Sequence, residues 1–194
     1  MSNLPISAIW ITGQSAAGKS TLAQNLFEHY KNQGATNLVL LDGEELRAKL
    51  TRKYGYTVEE RFAVFENILS AVKSEILKGN SVIVATITHK KAMRLKARTE
   101  LKNFFEVYLE CPTKVCAQRD YKGNYEKALS GKMSNMIGVD EPYEISDSPE
   151  LIIHSATNSI EQVLKIAIGR YDRFVDQITE RDAESADHAL ENGL

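Results

Sequence analysis

Residues 7–21 read S-A-I-W-I-T-G-Q-S-A-A-G-K-S-T. The first six are a short apolar run of the kind that makes a buried strand, and Gly13 ends it. Gly13, Gly18, Lys19 and Ser20 then satisfy G-x-x-x-x-G-K-[ST], and residues 19–33 continue as a helical pattern that stops near Gly34. A strand, a glycine-rich loop and a helix in that order form a phosphate cradle. The glycines let the backbone wrap closely, successive N–H groups point inward, and the helix N-terminus adds partial positive charge. Gly13, Gln14, Ser15, Ala16, Ala17, Gly18, Lys19, Ser20 and Thr21 are therefore candidate nucleotide-binding residues. Lys19 is expected to reach the β- and γ-phosphates and Ser20 to place its hydroxyl on Mg²⁺. The bland alternative is a tight strand-to-helix turn that matches by chance. The loop alone implies only that ATP or GTP binds.

Outward from this loop, apolar runs alternate with longer helical patterns, which is the sequence form of a parallel α/β sheet. Residues 37–42, 81–87 and 104–109 read as three further strands, and 151–154 as a shorter fifth. Their near-continuous hydrophobicity suits strands covered on both faces. Thr57 opens a capping box, T-V-E-E, and Phe62, Phe65, Leu69, Val72 and Ile76 follow at helical spacing up to Gly79-Asn80. Val163, Ala167, Tyr171, Phe174 and Ile178 mark a C-terminal helix. Residues 179–194 are polar and acidic and read as a frayed tail. No repeat or linker interrupts the chain, so residues 1–194 read as a single domain.

Composition narrows the function classes. A chain of 194 residues with 43% hydrophobic and 26% charged residues can bury a substantial core. A net charge of −2 gives no bulk attraction for nucleic acid. The start of the chain has no secretory pattern, and no apolar run nears the ~18 residues a bilayer requires. A cytoplasmic protein without membrane or nucleic-acid partners is expected. Cys111 and Cys116 read as inert thiols, and His29, His89, His154 and His188 show no paired metal spacing. Trp10 reads as core. Lys90, Lys91, Arg94, Lys96 and Arg98 form a basic helical face, either solvated or gathering an anionic substrate.

Two absences separate a small-molecule kinase from other users of this loop. No Asp ends the 81–87 run, where an ATPase places one for Mg²⁺, and no N-K-x-D follows a later strand. Instead the second strand ends in Asp42-Gly43-Glu44, with Arg47 one helical turn beyond Glu44. A carboxylate at the C-terminal edge of a strand beside the phosphate loop is where open α/β sheets bind ligands. There Asp42 can orient and deprotonate a hydroxyl acceptor or hold metal-bound water. An Asx turn with charge at a helix N-terminus competes with that role at both Asp42 and Glu44.

Further motifs resemble adenylylsulfate (APS) kinases, which phosphorylate the 3′-hydroxyl of APS. They are W-I-T-G-Q-S-A-A-G-K-S-T at 10–21, L-D-G-E-E-L-R at 41–47, G-Y-T-V-E-E-R at 55–61 and V-I-V-A-T-I-T at 82–88. E-V-Y-L-E-C-P-T-K-V-C-A-Q-R-D-Y-K-G-N-Y at 106–125 and G-V-D-E-P-Y-E at 138–144 complete the set, and residues 116–144 are its most specific part. The resemblance implies a P-loop nucleotide kinase-like fold, a three-layer α/β/α sandwich with a five-stranded parallel sheet, and a lid at about 119–140. It implies ATP and Mg²⁺, a small nucleotide acceptor and a homodimer. It also implies residue roles. Lys19 and Ser20 hold ATP and Mg²⁺, and Asp42 serves as acceptor-side carboxylate and second metal contact. Glu44 stands where the family has Asp. Arg47 and Arg61 bind the acceptor's charged groups, Ile87 and Thr88 line its pocket, and Tyr56 stacks on its base. Arg119 packs on the ATP adenine and Lys122 lies near the phosphates.

The departures cluster at one end. The family's x-E-N-I-R-R after the arginine becomes Phe62-Ala63-Val64-Phe65-Glu66-Asn67, which puts Val64 where an acceptor-side Asn is usual. K-A-R-A-G becomes 127–131 with Leu129 for Arg, and F-T-G-I-D becomes 136–140 with Met136 for a stacking Phe. S-P-Y-R becomes Thr88-His89-Lys90-Lys91. The ATP-side residues are intact. Three readings follow: an APS kinase, a related kinase with another acceptor such as cytidine diphosphoramidate, and a non-catalytic nucleotide-binding regulator. A kinase arm working with a separate sulfurylase subunit is a further arrangement.

Overall fold

A computed structural model describes residues 3–191, with side chains described up to residue 186. Five parallel strands run β1 (Ala8–Thr12), β2 (Leu38–Asp42), β3 (Ser81–Ala85), β4 (Phe104–Glu110) and β5 (Leu151–His154). They lie in the order β2-β3-β1-β4-β5, which puts the first strand at the centre. Helices α1 (Lys19–Asn32), α2 (Gly43–Lys49), α3 (Val58–Leu77), α4 (Lys91–Glu100), α5 (Thr113–Arg119), α6 (Asn124–Leu129) and α7 (Ile160–Glu191) connect and cover them.

Two separate cores explain why the strands read as uniformly apolar. Successive residues of a strand face opposite sides of the sheet. Ile9, Ile11, Ile83, Phe105, Val107 and Leu109 pack with α1 and α7 residues such as Leu22, Leu26, Ala167 and Tyr171. Ala8, Trp10, Val82, Val84 and Phe104 pack with Val64, Phe65, Leu69 and Val72 of α3 and Met93 and Ala97 of α4. The result is a three-layer α/β/α sandwich. Trp10 is fully buried, edge-on to Phe65 at 6.0 Å.

Local chemistry sets the boundaries. Thr57 and Glu60 form the capping box that starts α3, and Gly79 follows its end at φ 85°. Asp42 caps α2 by accepting from the N–H groups of Glu44 and Glu45. Strand β3 stops at Ala85, two residues short of the sequence expectation, because Ile87 and Thr88 turn away to line a cavity. The tail differs more. Residues 179–191 continue α7 instead of fraying. They are rich in helix formers, and the buried turns before them supply the nucleus. Arg181 donates to Asn103 at 2.5 Å, and Asp182 approaches Lys102 at 3.7 Å. Residues 192–194 of the expected tail lie outside the described residues, as do Met1 and Ser2. No helix among the described residues is long and apolar enough to cross a membrane.

The basic face of α4 is paired with acidic residues rather than free to gather anions, with Lys91 still exposed and Arg94 buried. Arg94 is buried against Glu106 of β4, Nε to Oε1 at 3.1 Å, and also donates to Ser146 Oγ at 2.7 Å and to the carbonyls of Thr88 and Glu144. Lys90 pairs with Glu141 and Glu144, Lys91 with Asp147, Lys96 with Glu66 and Glu100, and Arg98 with Glu106 and Glu150. Lys90, Lys91, Arg94 and Arg98 thereby strap residues 141–150 onto α4 and β4, while Lys96 is held by α3 and its own helix.

Candidate active site

A single cavity of about 1050 Å³ runs from the phosphate loop to the C-terminal ends of β2 and β3. Its volume is at the upper end of small-molecule sites. Ser15 to Thr21, Asp42, Glu44, Arg47, Tyr56, Arg61, Ile87, Thr88, Arg119, Lys122 and Met136 all line it. Gly13 and Gln14 lie behind the wall. A Cβ on Gly13 would sit 2.6 Å from the Leu109 carbonyl, and its φ of 147° is strained for an L residue. Only glycine lets the loop pass that close to β4.

The loop is braced from both sides. Ala16 takes φ 58°, and the Gln14 carbonyl accepts from Ala17 N at 3.3 Å and Lys19 Nζ at 2.7 Å. Burial lowers the Lys19 pKa to about 8, against the pull of Glu44 and other neighbours. Tyr125 of α6 directs its hydroxyl at Gln14 Oε1 (3.3 Å) and the Ser15 carbonyl (3.2 Å), and Thr113 donates to the same Gln14 oxygen at 3.1 Å. Gly138 presses on Gln14, where a side chain would collide. Sequence reasoning missed this role of Tyr125; an aromatic at the end of the 106–125 motif was its only trace.

Ser20 Oγ donates to Asp42 Oδ2 at 2.6 Å, while Asp42 Oδ1 caps α2. The two candidate roles of Asp42 are thus compatible, one oxygen for each. No cluster of three or more His, Cys, Asp or Glu able to hold a metal exists among the described residues. A hydroxyl beside one carboxylate does fit Mg²⁺, which binds through few protein oxygens and takes the rest from substrate phosphates and water.

Arg119 is aimed at the wall of the cavity, Nη2 to the Ser155 carbonyl at 3.0 Å and Nη1 to Cys111 Sγ at 3.8 Å. Asn158, Ile160 and Val163 line the same part. Cys111 and Cys116 are buried free thiols, and burial raises Cys116 to about 12, so it stays protonated. Lys122 forms an ion pair with Glu44, linking the turn before α6 to α2, and both residues line the cavity.

At the other end Arg47 and Arg61 have no carboxylate partner among the described residues. Arg47 donates to the carbonyls of Tyr54 and Gly55, and Arg61 to those of Tyr56 (3.1 Å) and Asn135 (2.8 Å). Both guanidinium groups lie over the Tyr56 ring, at 4.3 and 5.1 Å. The ring is thus engaged by cations rather than left bare for a base. Burial, then repulsion from Arg47, lowers the Arg61 pKa from its usual value. Two such charges, with no carboxylate in ion-pair contact among the described residues and Glu141 only partly offsetting Arg61, make an anion site.

Thr88 lines the cavity with its backbone in a strained φ of 26°, but its hydroxyl faces inward. Trp10 Nε1 donates to it at 2.9 Å, and it lies 2.9 Å from Thr12 Oγ1, which in turn donates to the Ile87 carbonyl. Tyr143 closes this set, its hydroxyl 2.7 Å from Thr12 and its ring stacked on Tyr108 at 5.2 Å. Met136 is buried in the core and pinned by Asp140, which accepts from its N–H at 2.9 Å. Next to Thr88, His89 is buried and its Nε2 has no hydrogen-bond partner among the described residues. An unpaired buried polar group of this kind costs about 1–3 kcal/mol.

Residues 6–154 match the family model described as adenylylsulphate kinase. An adenylyl-sulfate kinase of Clostridium kluyveri is 38% identical over 155 residues, covering 79% of this chain and 77% of that protein. A probable adenylyl-sulfate kinase of Archaeoglobus fulgidus is 37% identical, covering 77% of this chain and 96% of the relative. The solved APS kinase of Mycobacterium tuberculosis in complex with AMPPNP and APS superposes with a TM-score of 0.78 at 27% identity, covering 87% of this chain and 99% of that one. Sequence, fold and cavity agree, and this chain belongs to the adenylylsulphate kinase family.

Proposed function

We propose that this chain transfers the γ-phosphate of MgATP to the 3′-hydroxyl of adenylylsulfate. The observation that carries it is the one cavity joining the phosphate loop to the cationic Arg47–Arg61 pair. Relatives that are adenylyl-sulfate kinases at 36–38% identity support the choice of acceptor.

The phosphate loop and Lys19 hold the triphosphate, and Arg119 supports the adenine. Ser20 and Asp42 would hold Mg²⁺, which would supply neutralisation of the phosphate charge. Arg47 and Arg61 fix the anionic end of the acceptor so that its hydroxyl lies in line with the γ-phosphorus. The hydroxyl oxygen bonds to that phosphorus as the β–γ bridging P–O bond breaks. ADP leaves, and the hydroxyl proton passes to the Asp42 carboxylate. Little covalent work falls to the protein; positioning and charge neutralisation dominate. Ile87, Thr88, Tyr56 and Met136 shape the acceptor end, and Glu44 with Lys122 tie down the lid over it. On this reading residues 1–194 act as one domain with a lid at about 119–140, working as a cytoplasmic homodimer. Light scattering on the purified protein checks the dimer.

The test is ADP release from MgATP against adenylylsulfate, cytidine diphosphate derivatives and nucleoside monophosphates. Turnover is expected with adenylylsulfate. Background-level release with it, alongside turnover of another nucleotide, would move the acceptor assignment to that nucleotide. Background release with every acceptor would favour a nucleotide-binding regulator.

A further inference from the structure

We propose that His89 is a specificity-determining residue of the acceptor end, its imidazole Nε2–H donating to an oxyanion of the acceptor nucleotide beside Arg61. The proposal rests on the reading that a nucleotide acceptor occupies this end of the cavity.

His89 is 1% exposed, lines the cavity, and is the residue whose side-chain nitrogen is buried without a partner among the described residues. Of the α3 residues along the cavity, Arg61, Val64, Phe65 and Ile68, only Arg61 is polar. Further polar contacts therefore come from other elements, Arg47 from α2 among them. The β3–α4 loop supplies one more through His89, since the neighbouring Thr88 hydroxyl is committed to Trp10 and Thr12.

The ring is held ready by its backbone. The His89 carbonyl accepts from Glu144 N at 2.9 Å, and the Thr88 carbonyl before it accepts from buried Arg94. Four charged groups face the ring: Arg61 from α3, Lys90 from its own loop, Arg94 from α4 and Glu144 from the strap. Lys90 is answered by Glu141 and Glu144, and Arg94 by Glu106. Arg61 has main-chain carbonyls as its hydrogen-bond partners and no ion-pair contact among the described residues, with Glu141 the one carboxylate acting on it from farther away. Burial and the surrounding cations, Arg61 first among them, hold the His89 pKa at about 4. The ring is thus neutral at physiological pH, with one N–H to give and no charge of its own to desolvate. A neutral donor next to this guanidinium suits a sulfate or phosphate oxygen, and that oxyanion would relieve the orphaned nitrogen.

The experiment follows the His89 ring resonances by NMR through a pH titration of the whole protein, alone, with sodium sulfate, and with adenylylsulfate. H89L and H89Q are assayed beside it. Bound oxyanion is expected to raise the His89 pKa by about one unit or more. H89L should raise the acceptor KM about tenfold with the ATP KM unchanged, and H89Q, whose amide places a donor near Nε2, should restore most of it. Ring resonances indifferent to both anions would overturn the proposal. So would an H89L protein that is folded by thermal denaturation and keeps its acceptor KM, or one in which both KM values rise together. If H89L fails to fold, the H89Q kinetics and the wild-type titration decide between these outcomes. Loss of the adenylylsulfate assignment would appear separately, as absent turnover in the wild type, and the sulfate titration would still decide the role of His89.

Discussion

The two ends of the cavity are built by different means. The donor end is mostly main chain. Its N–H groups come from one continuous loop, its partial charge from α1, and its shape from glycines at 13 and 18. The acceptor end is made of side chains drawn from α2, α3, the β3–α4 loop and the 135–144 segment. A backbone cradle demands a short fixed pattern, so it tolerates little change. A side-chain pocket can keep its charge and volume while individual members are exchanged. Val64, His89 and Met136 belong to that exchangeable set, all three lining the end that holds Arg61.

The largest expected effect tests the donor end. K19A should lower kcat by about 10²–10³-fold, because it removes a preorganised positive charge from the transferring phosphoryl group. The thermal midpoint should move little, as Lys19 contributes one hydrogen bond, to the Gln14 carbonyl. Near-wild-type ADP release from a folded K19A would break the contrast at its stronger end.

A smaller effect is expected at the other end. R61A should raise the acceptor KM by about 10–100-fold while the ATP KM stays within about twofold. Loss of one of two guanidinium groups leaves Arg47 in place, which sets the upper limit. An equal rise in both KM values in steady-state assays would mean that the two ends are not separable.

The smallest effect is on acid stability. The folded-state pKa of His89, about 4, lies below its ordinary value of 6.5, so the unfolded chain binds more protons between them. Stability from this residue is intact above pH 6.5 and is lost as pH falls toward 4. Between pH 7 and 4.5 the wild type should lose about 5 °C more in thermal midpoint than H89L. Parallel midpoint curves would show that the ring is not buried neutral.

Much of the fold is legible in the sequence because its causes are local. Helix starts at Lys19 and Val58 follow from a phosphate loop and a capping box, and β1 to β5 from apolar runs between turn signals. The tail misleads because polar composition suggests fraying, while helix propensity and the anchored turns before it carry α7 to Glu191. The basic stretch 90–98 misleads because its charges are answered both nearby, at Glu100 and Glu106, and about 50 residues away, at 141–150, and only the folded sheet brings the distant set into place. Tyr125 and Tyr143 lie in quoted motifs, but their partners Gln14 and Thr12 are 111 and 131 residues away, so their bracing role is not readable there.

The amino-acid sequence thus determined the phosphate loop, the parallel sandwich and the family, since each rests on a short periodic or spaced pattern. Tertiary structure decided what surrounds the acceptor. It turned the Thr88 hydroxyl inward, laid Arg47 and Arg61 over Tyr56, committed the charges of α4 to a strap, and left His89 Nε2 without a partner among the described residues. Hydrogen-bond and charge partners are set by which segments meet in space, and that is fixed only once the whole sheet has closed.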